Sequence, residues 1–411
     1  MDYLHGIEIK ETPKTIVLAA GDTAIIGLVG TAPQGVVDTP VLITNLAAGF
    51  AAFGEDIGGF TIPAALGVIF NRVNAKVIVI NVLANADAAA LIDEATGKMT
   101  VDIDGNWATG IGKAALPETA DYAAEIIAGI EKMLDIENTL GLKPNILIAP
   151  GYSQIAAVLA KMDSVAIKLN GFAVVDVAAE TVTAALEARA TGTYATASAA
   201  IVLCFPRAIR YNSHEKGNQP CALSVFWAAA KASRDAVMGY WVSPSNSELT
   251  DILSTDVLIR SSLTDPAADT NLLNAKGIVT LFRRAGSGYR IWGNWTAAFP
   301  TEITADVMIA PRAVRMAIRE ALIDASVNYL DITNINKVGI DMILDSVNAF
   351  IRNLVGTGVL NQGSECAFDS DKNTPDEVAQ GHLTFTLTEV FAPSLDKLTF
   401  EEVIDLTALT F

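Results

Sequence analysis

Apolar and polar positions divide this chain into a long run of buried strands and helices, followed by a terminal stretch of different character. Ala24 to Val29 and Val41 to Thr44 are apolar runs of strand length. Ile62 to Val73 has the spacing of a short helix and leads into Lys76-Val-Ile-Val-Ile-Asn-Val82. Strand–helix–strand order with continuous apolar strands predicts a parallel sheet covered on both faces. Residues 85–115 interrupt it. There Met99-Thr-Val-Asp-Ile-Asp-Gly-Asn-Trp107 reads as a strand, an Asp104-Gly105 turn and a return strand, a polar hairpin at the surface. The pattern resumes with a helix over 118–138, where Tyr122, Ile126, Ile130 and Met133 share a face. Strands are predicted at Asn145–Pro150, Gly171–Asp176 and Ala200–Phe205, with helices at Ser153–Leu169 and Val182–Ala190. A long helix from Ala222 to Met238 stops at Gly239, and strands near Gly277–Phe282 and Tyr289–Trp292 close this doubly wound pattern.

From Thr301 the character changes to two long helices, one strand and a tail. The first helix turns Val314, Ala317, Ile318, Ala321, Leu322 and Ala325 inward, while Arg312, Arg315 and Arg319 stand at i, i+3 and i+7 on another face. The second has an apolar stripe of Ile340, Ile343, Leu344, Val347, Phe350, Ile351 and Leu354, with Asp341, Asp345, Asn348 and Arg352 off it. After Gly356-Thr-Gly358 comes a polar loop through Asn373-Thr-Pro-Asp376. In Gly381–Val390, Leu383, Phe385 and Leu387 alternate with Thr384, Thr386 and Thr388, the period of a strand with one buried face. Ala392-Pro-Ser394 breaks it, and Leu398, Phe400, Ile404 and Leu406 resume the alternation. A strand beyond that break has no partner left in its own sequence, so it suits a neighbouring subunit. Tyr3, Ile7 and Ile9 form a similar one-sided segment before Pro13.

The predicted fold is α/β and multi-domain: a doubly wound, mostly parallel sheet core plus an α+β C-terminal domain, with extended N- and C-terminal arms. The expected segments are an arm at 1–22, the start of the core at 23–84, the insertion at 85–115, an α/β region at 116–290, the C-terminal domain at 291–392 and a second arm at 393–411.

Composition makes assembly the leading theme. Of 411 residues, 51% are hydrophobic, and the mean hydropathy of +0.38 is high for a soluble monomer. The longest apolar block, Ala222 to Ala230, is interrupted by Ser224 and falls far short of the roughly 18–20 residues that span a bilayer. The first residues, Met-Asp-Tyr-Leu-His-Gly, lack the basic start of a signal peptide. The apolar excess therefore points to burial against copies of the same chain, or to a large Ala-rich core. A net charge of −18 disfavours nucleic acid, because phosphate contacts need clustered Lys and Arg. Cys204, Cys221 and Cys366 are odd in number and scattered, which excludes a disulfide framework or zinc spacing and suits a reducing compartment. Cys204, inside Ile201-Val-Leu-Cys-Phe205, reads as a buried small hydrophobe.

Enzymatic chemistry finds little to work with. Gly97-Lys98 is followed by Met99 and Gly112-Lys113 by Ala114, so neither is a phosphate-binding loop. Gly286-Ser-Gly-Tyr precedes a strand rather than a helix and reads as a turn. The three histidines, His5, His214 and His382, have no second ligand at metal spacing. Ser213-His214-Glu215 are adjacent and cannot take triad geometry, and Asp102 with Asp104 reads as solvated charge on a hairpin. No catalytic residue, cofactor or metal is expected.

Several runs resemble the contractile tail sheath proteins of long-tailed phages and R-type bacteriocins, in particular the shorter P2-like type. They are Ser346-Val-Asn-Ala-Phe-Ile-Arg-Asn-Leu354, Gly358-Val-Leu-Asn-Gln-Gly363, Ala367-Phe368 and Asn373-Thr-Pro-Asp376. Upstream, Tyr240-Trp-Val-Ser-Pro-Ser-Asn246, Arg290-Ile-Trp-Gly-Asn294 and Ala24-Ile-Ile-Gly-Leu-Val-Gly-Thr-Ala-Pro33 extend the likeness over nearly the whole chain. The resemblance implies a structural subunit that polymerises helically around an inner tube and contracts to drive the tube through a target envelope. It implies a subtilisin-like layout without a triad at 116–290, and a C-terminal domain that lies innermost. Implied partners are further copies of the chain, the inner tail tube protein, and the baseplate and tail terminator proteins, with no direct nucleic acid and no membrane insertion. The implied place is a virion tail or headless particle, assembled in the host bacterial cytoplasm. On this reading Tyr3, Ile7, Ile9, Leu398, Phe400, Ile404 and Leu406 are inter-subunit strand residues, and Leu383, Phe385 and Leu387 belong to the receiving sheet. Arg312, Arg315 and Arg319 then face the tube or form a merely solvated face, with the following helix as an equal candidate. An α/β hydrolase-like or nucleotide-utilising enzyme, or a static capsid or surface-layer lattice protein, are the alternatives.

Overall fold

A computed structural model describes residues 24–90, 92–93, 98–99, 122–213 and 216–404. The chain opens with strands β1 (Ile25–Gly30) and β2 (Val41–Ile43), helices α1 (Leu46–Phe53) and α2 (Thr61–Phe70), and strand β3 (Lys76–Asn81). Helix α3 (Asn85–Ala90) and the short antiparallel pair β4 (Ile92–Asp93) and β5 (Lys98–Met99) follow. Hence the insertion begins as a hairpin one step earlier than predicted; the Asp104-Gly105 turn lies outside the described residues. Helices α4 (Ala123–Lys132) and α5 (Ile136–Leu140), β6 (Ile146–Ile148), α6 (Ala156–Lys168), β7 (Phe172–Asp176), α7 (Val182–Thr191) and β8 (Ile201–Cys204) come next. A hairpin, β9 (Ala208–Asn212) with β10 (Gly217–Cys221), precedes α8 (Leu223–Met238). Short strands β11 (Glu248–Leu249) and β12 (Ser254–Thr255), helix α9 (Asp269–Asn274) and strands β13 (Ile278–Arg283) and β14 (Tyr289–Trp292) complete this part.

Nine strands form the main sheet in the order β11-β14-β13-β8-β7-β6-β1-β3-β2. The run from β13 to β3 is parallel throughout, and antiparallel strands close both ends. Period-two alternation sends Ile26 and Leu28 to one face, against Ile62 and Leu66 of α2 and Phe226 and Trp227 of α8. Ile25 and Val29 go to the other face, against Ile126 and Ile130 of α4 and Met162 and Val165 of α6. With both faces covered, every residue of β1 is buried, which is why its sequence is apolar without a break. Helix α8 ends where predicted, because Gly239 takes φ +97° and its N–H bonds the Asp235 carbonyl. Gly286, at φ +79°, sits in the β13–β14 turn, as its sequence predicts.

The C-terminal part consists of α10 (Ile309–Ser326), α11 (Lys337–Gly356), β15 (Glu365–Phe368), α12 (Pro375–Ala379) and β16 (Phe385–Thr388). It has its own core of Val314, Ala317, Ile318 and Ala321 against Val347, Phe350, Ile351 and Leu354. Helix α10 serves both units: Ile309, Ala313 and Met316 pack into the main core. The predicted boundary after residue 290 falls within β14, because Ile291 is buried in the main core.

Candidate assembly interface

Strands β15 and β16 make a two-stranded antiparallel sheet with Phe368 opposite Phe385 and Cys366 opposite Leu387. The two phenylalanine rings meet edge to face at 6.0 Å. Phe385 and Leu387 rest half-buried on the C-terminal core. Leu383, placed in the same predicted strand, lies before it. Strand pairing starts later because the Thr384 N–H and C=O are both taken by the Asn373 side-chain amide, at 2.7 and 2.8 Å. Strand β15 falls where the sequence predicts only a polar loop, because Glu365-Cys366-Ala367-Phe368 is too short to show a period on its own.

Beyond Phe391, which bridges to Leu360, the chain runs to residue 404 in neither helix nor strand. Leu395, Leu398, Phe400, Val403 and Ile404 expose 64–87% of their surface. Among the described residues one polar contact ties the tail back, Trp295 Nε1 donating to Asp396 Oδ2 at 3.4 Å. Leu406 and the segment with Tyr3, Ile7 and Ile9 lie outside the described residues. So do His5 and His214.

The three arginines of α10 are not equivalent. Arg312 is half-buried over the Phe172 ring at 5.7 Å, and burial, with Arg319 and Arg315 nearby, pulls its guanidinium down to about 10. Arg315 reaches Asp306 at 3.0 Å and Glu389 at 3.8 Å. Arg319 is exposed. On α11, Asp341, Asp345 and Arg352 are exposed as well.

A hydrolase would need a reachable nucleophile, and the polar cluster of the main sheet is sealed. Asp176, ending β7, accepts from the Ser224 N–H at 2.9 Å and from the hydroxyls of Ser224 and Ser153. All three residues are buried, and burial holds the Asp176 carboxyl above its usual range. The carboxylate caps the first turn of α8, a structural task. The lone polar Ser224 in the apolar block at 222–230 was the sequence trace of this cap. The described histidine, His382, is exposed beside Glu377 at 3.0 Å. A cleft of about 270 Å³ between the sheet and α10 is lined by groups that pair among themselves, Lys231 with Asp235 and Lys143 with Glu320. Among the described residues no cluster of three His, Cys, Asp or Glu could hold a metal, and no helix is long and apolar enough to cross a membrane.

Residues 118–297 match the phage tail sheath protein central domain, and residues 23–82 match the tail sheath protein Gp18 domain III N-terminal region. The tail sheath protein of Burkholderia phage BcepMu is 33% identical over 467 aligned positions, spanning 98% of this chain and 97% of that one. The chain belongs to the phage tail sheath proteins. The tail sheath protein of Escherichia phage P2 is 25% identical, spanning 98% of this chain and 96% of its own length. The helical sheath of the anti-feeding prophage in its contracted state has the same fold, with a TM-score of 0.69 at 15% identity and coverage of 98% and 100%. This sheath protein is therefore a structural subunit of mixed α/β fold with a large, mostly parallel sheet, and not an enzyme.

Proposed function

We propose that this sheath protein polymerises helically around an inner tube, is built extended, and shortens to drive the tube through a target envelope. Membership in the tail sheath family and the likeness to a sheath in its contracted state support this reading. The doubly wound core is the rigid body that changes neighbours, and the arms are the links that hold neighbours together as it moves. Baseplate and tail terminator proteins bound the polymer at its ends.

The observation that carries the linking role is the bare tail next to a two-stranded sheet. A strand added to a sheet edge gains ladder bonds and pockets for alternate side chains. Ordering about six residues costs roughly 6–12 kcal/mol. Three buried apolar side chains return roughly 5–9 kcal/mol, and ladder bonds add about 1 kcal/mol each. One arm is marginal alone; repeated through a lattice, such links are cumulatively strong. Leu398, Phe400, Ile404 and Leu406 are the tail's contribution, and Tyr3, Ile7 and Ile9 are that of the first arm.

The C-terminal domain, 291–392, faces the tube, and the insertion at 85–115 faces outward. Arg312 and Arg315 are engaged within the subunit, so the tube contact passes from the arginine flank to Asp341, Asp345 and Arg352 on α11. Reversing those three charges should spare sheath self-assembly and abolish loading onto the tube.

Electron microscopy of assembled protein tests the function as a whole. Hollow cylinders in a long and a short form are expected. Flat lattices or small discrete oligomers would overturn the reading.

A further inference from the structure

Between the β13–β14 turn and the segment after β12 lies an open groove of about 720 Å³. Buried Leu281 and half-buried Ile259 line it. Val257 and Ile259 pack against the core, whereas Leu258 between them exposes 90% of its surface. Arg283, Arg284, Ser261 and Ser287 supply the polar part of the lining. Arg283 lies over the Tyr289 ring at 5.0 Å, which holds its guanidinium at the groove. Arginines around it have carboxylate partners: Arg207 with Asp256, Arg260 with Asp265 and Arg290 with Glu248. Among the described residues Arg283 and Arg284 have none. A single exposed leucine is ordinary. Beside two guanidinium groups without carboxylates, in a chain of net charge −18, it completes a surface that suits an acidic and apolar partner.

We propose that this groove takes the acidic insertion of a second copy of the chain, with Asp102 and Asp104 on Arg283 and Arg284 and with Val101 and Ile103 against Leu258. The inference rests on the reading that the chain assembles with itself, and adds a contact made by the flanks of the main sheet rather than by the arms. Charge and apolarity select the occupant. From Met99 to Gly112 the insertion has two carboxylates, no Lys or Arg, and the apolar Val101, Ile103 and Trp107. Topology brings groove and insertion to one side of the subunit. Strands β13 and β3 belong to the same parallel run, so Arg283 and the insertion, which leaves β3 through α3, both lie at its carboxyl edge. Helix α10 is at the amino edge, where Asn170, just before β7, donates to the Met316 carbonyl at 2.9 Å. The contact therefore leaves the C-terminal domain free. Strands β13 and β3 stand five strand spacings apart, about 24 Å, toward opposite flanks of the sheet. Copies set side by side in one orientation bring the β13 flank of one to the β3 flank of the next. Such a contact joins two different surfaces, so it repeats around a ring or along a helix.

Disulfide trapping in assembled tubes tests this. A chain with both Ser287→Cys and Asp104→Cys should give a ladder of covalent oligomers on mild oxidation. Either substitution alone should give none, and neither should the parent, whose three cysteines are buried. Arg283→Glu with Arg284→Glu should raise the protein concentration needed for tubes by about tenfold at low salt, and by less at high salt. Adding Asp102→Arg and Asp104→Arg to that chain should restore assembly. A disulfide that leaves the mass of a single chain would place the insertion in its own subunit's groove and overturn the second-copy occupant. Loss of tubes with neither ladder nor rescue would give the groove to a different partner and overturn the occupant as well. Normal tubes from the Arg283→Glu, Arg284→Glu chain, with no ladder from the cysteine pair, would overturn the docking surface and leave self-assembly standing. A parent chain that forms no tubes would overturn the assembly reading itself, and this inference with it.

Discussion

The main sheet and the C-terminal hairpin with its tail are both built from alternating strands, and they end in opposite ways. Leu28 at the centre of β1 is fully buried, and the parallel run is closed at each end by antiparallel strands. Two of its buried polar side chains bond in place: Asp176 caps α8, and the Asn81 side chain bonds the N–H groups of Ala32 and Leu83. The hairpin stops after two strands, and beyond Phe391 the large apolar residues described, from Leu395 to Ile404, expose 64–87% of their surface. The contrast separates two jobs that one hydrophobic core usually does together. The main sheet makes the subunit stable; on the proposed reading the tail leaves its gain to be collected on assembly.

The largest effects should divide along that line. Trp227→Ala removes a fully buried indole from the main core and should cost about 3–5 kcal/mol of subunit stability, read by urea unfolding. Phe400→Ala should change subunit stability by less than about 0.5 kcal/mol, yet weaken or abolish tube formation. Equal stability losses for the two would erase the distinction between the regions.

A smaller effect concerns the sealed Asp176. Burial raises its carboxyl pKa in the folded state, despite the opposing hydrogen bonds from Ser224 and Ser153. The folded protein then keeps a proton that the unfolded chain, titrating near ~3.9, has released. This contribution to stability is full below the unfolded value, falls as pH rises, and is lost once pH passes the raised folded value. Asp176→Asn should remove that slope, so parent and variant should diverge in urea midpoint as pH rises above the unfolded value of about 4. Parallel profiles would show that the carboxyl is not shifted. Smallest of all on the subunit is Arg319→Glu. It should leave unfolding unchanged, and it should weaken assembly by an amount that shrinks with salt, since exposed charges are screened within about 10 Å at 0.1 M. An assembly defect independent of salt would argue against a charge contact.

The same contrast governs what the sequence discloses. Core strands such as β3 and β8 were legible because strands buried on both faces are continuous apolar runs. Helices α8 and α11 were legible from stripe and stop. Strands β9 and β10 were not. Arg210-Tyr211-Asn212 and Asn218-Gln219-Pro220 are polar and take their strand state from each other, with Arg210 paired to Asp56 far away in sequence. Asn348 could be placed off the apolar stripe of α11, and the strand whose Cys366 backbone it bonds could not, because β15 is defined only by its partner. The arginines of α10 showed their common face. That Phe172 lies beneath Arg312, and Glu389 beside Arg315, is tertiary information.

The most direct test of a tail made for a neighbour compares the full chain with one ending at residue 394. Thermal unfolding of the free subunits and electron microscopy of both at equal concentration would be recorded together. The account predicts the same melting profile for the two, cylinders from the full chain and none from the truncated one. Normal cylinders from the truncated chain, or a truncated subunit that melts well below its parent, would contradict it.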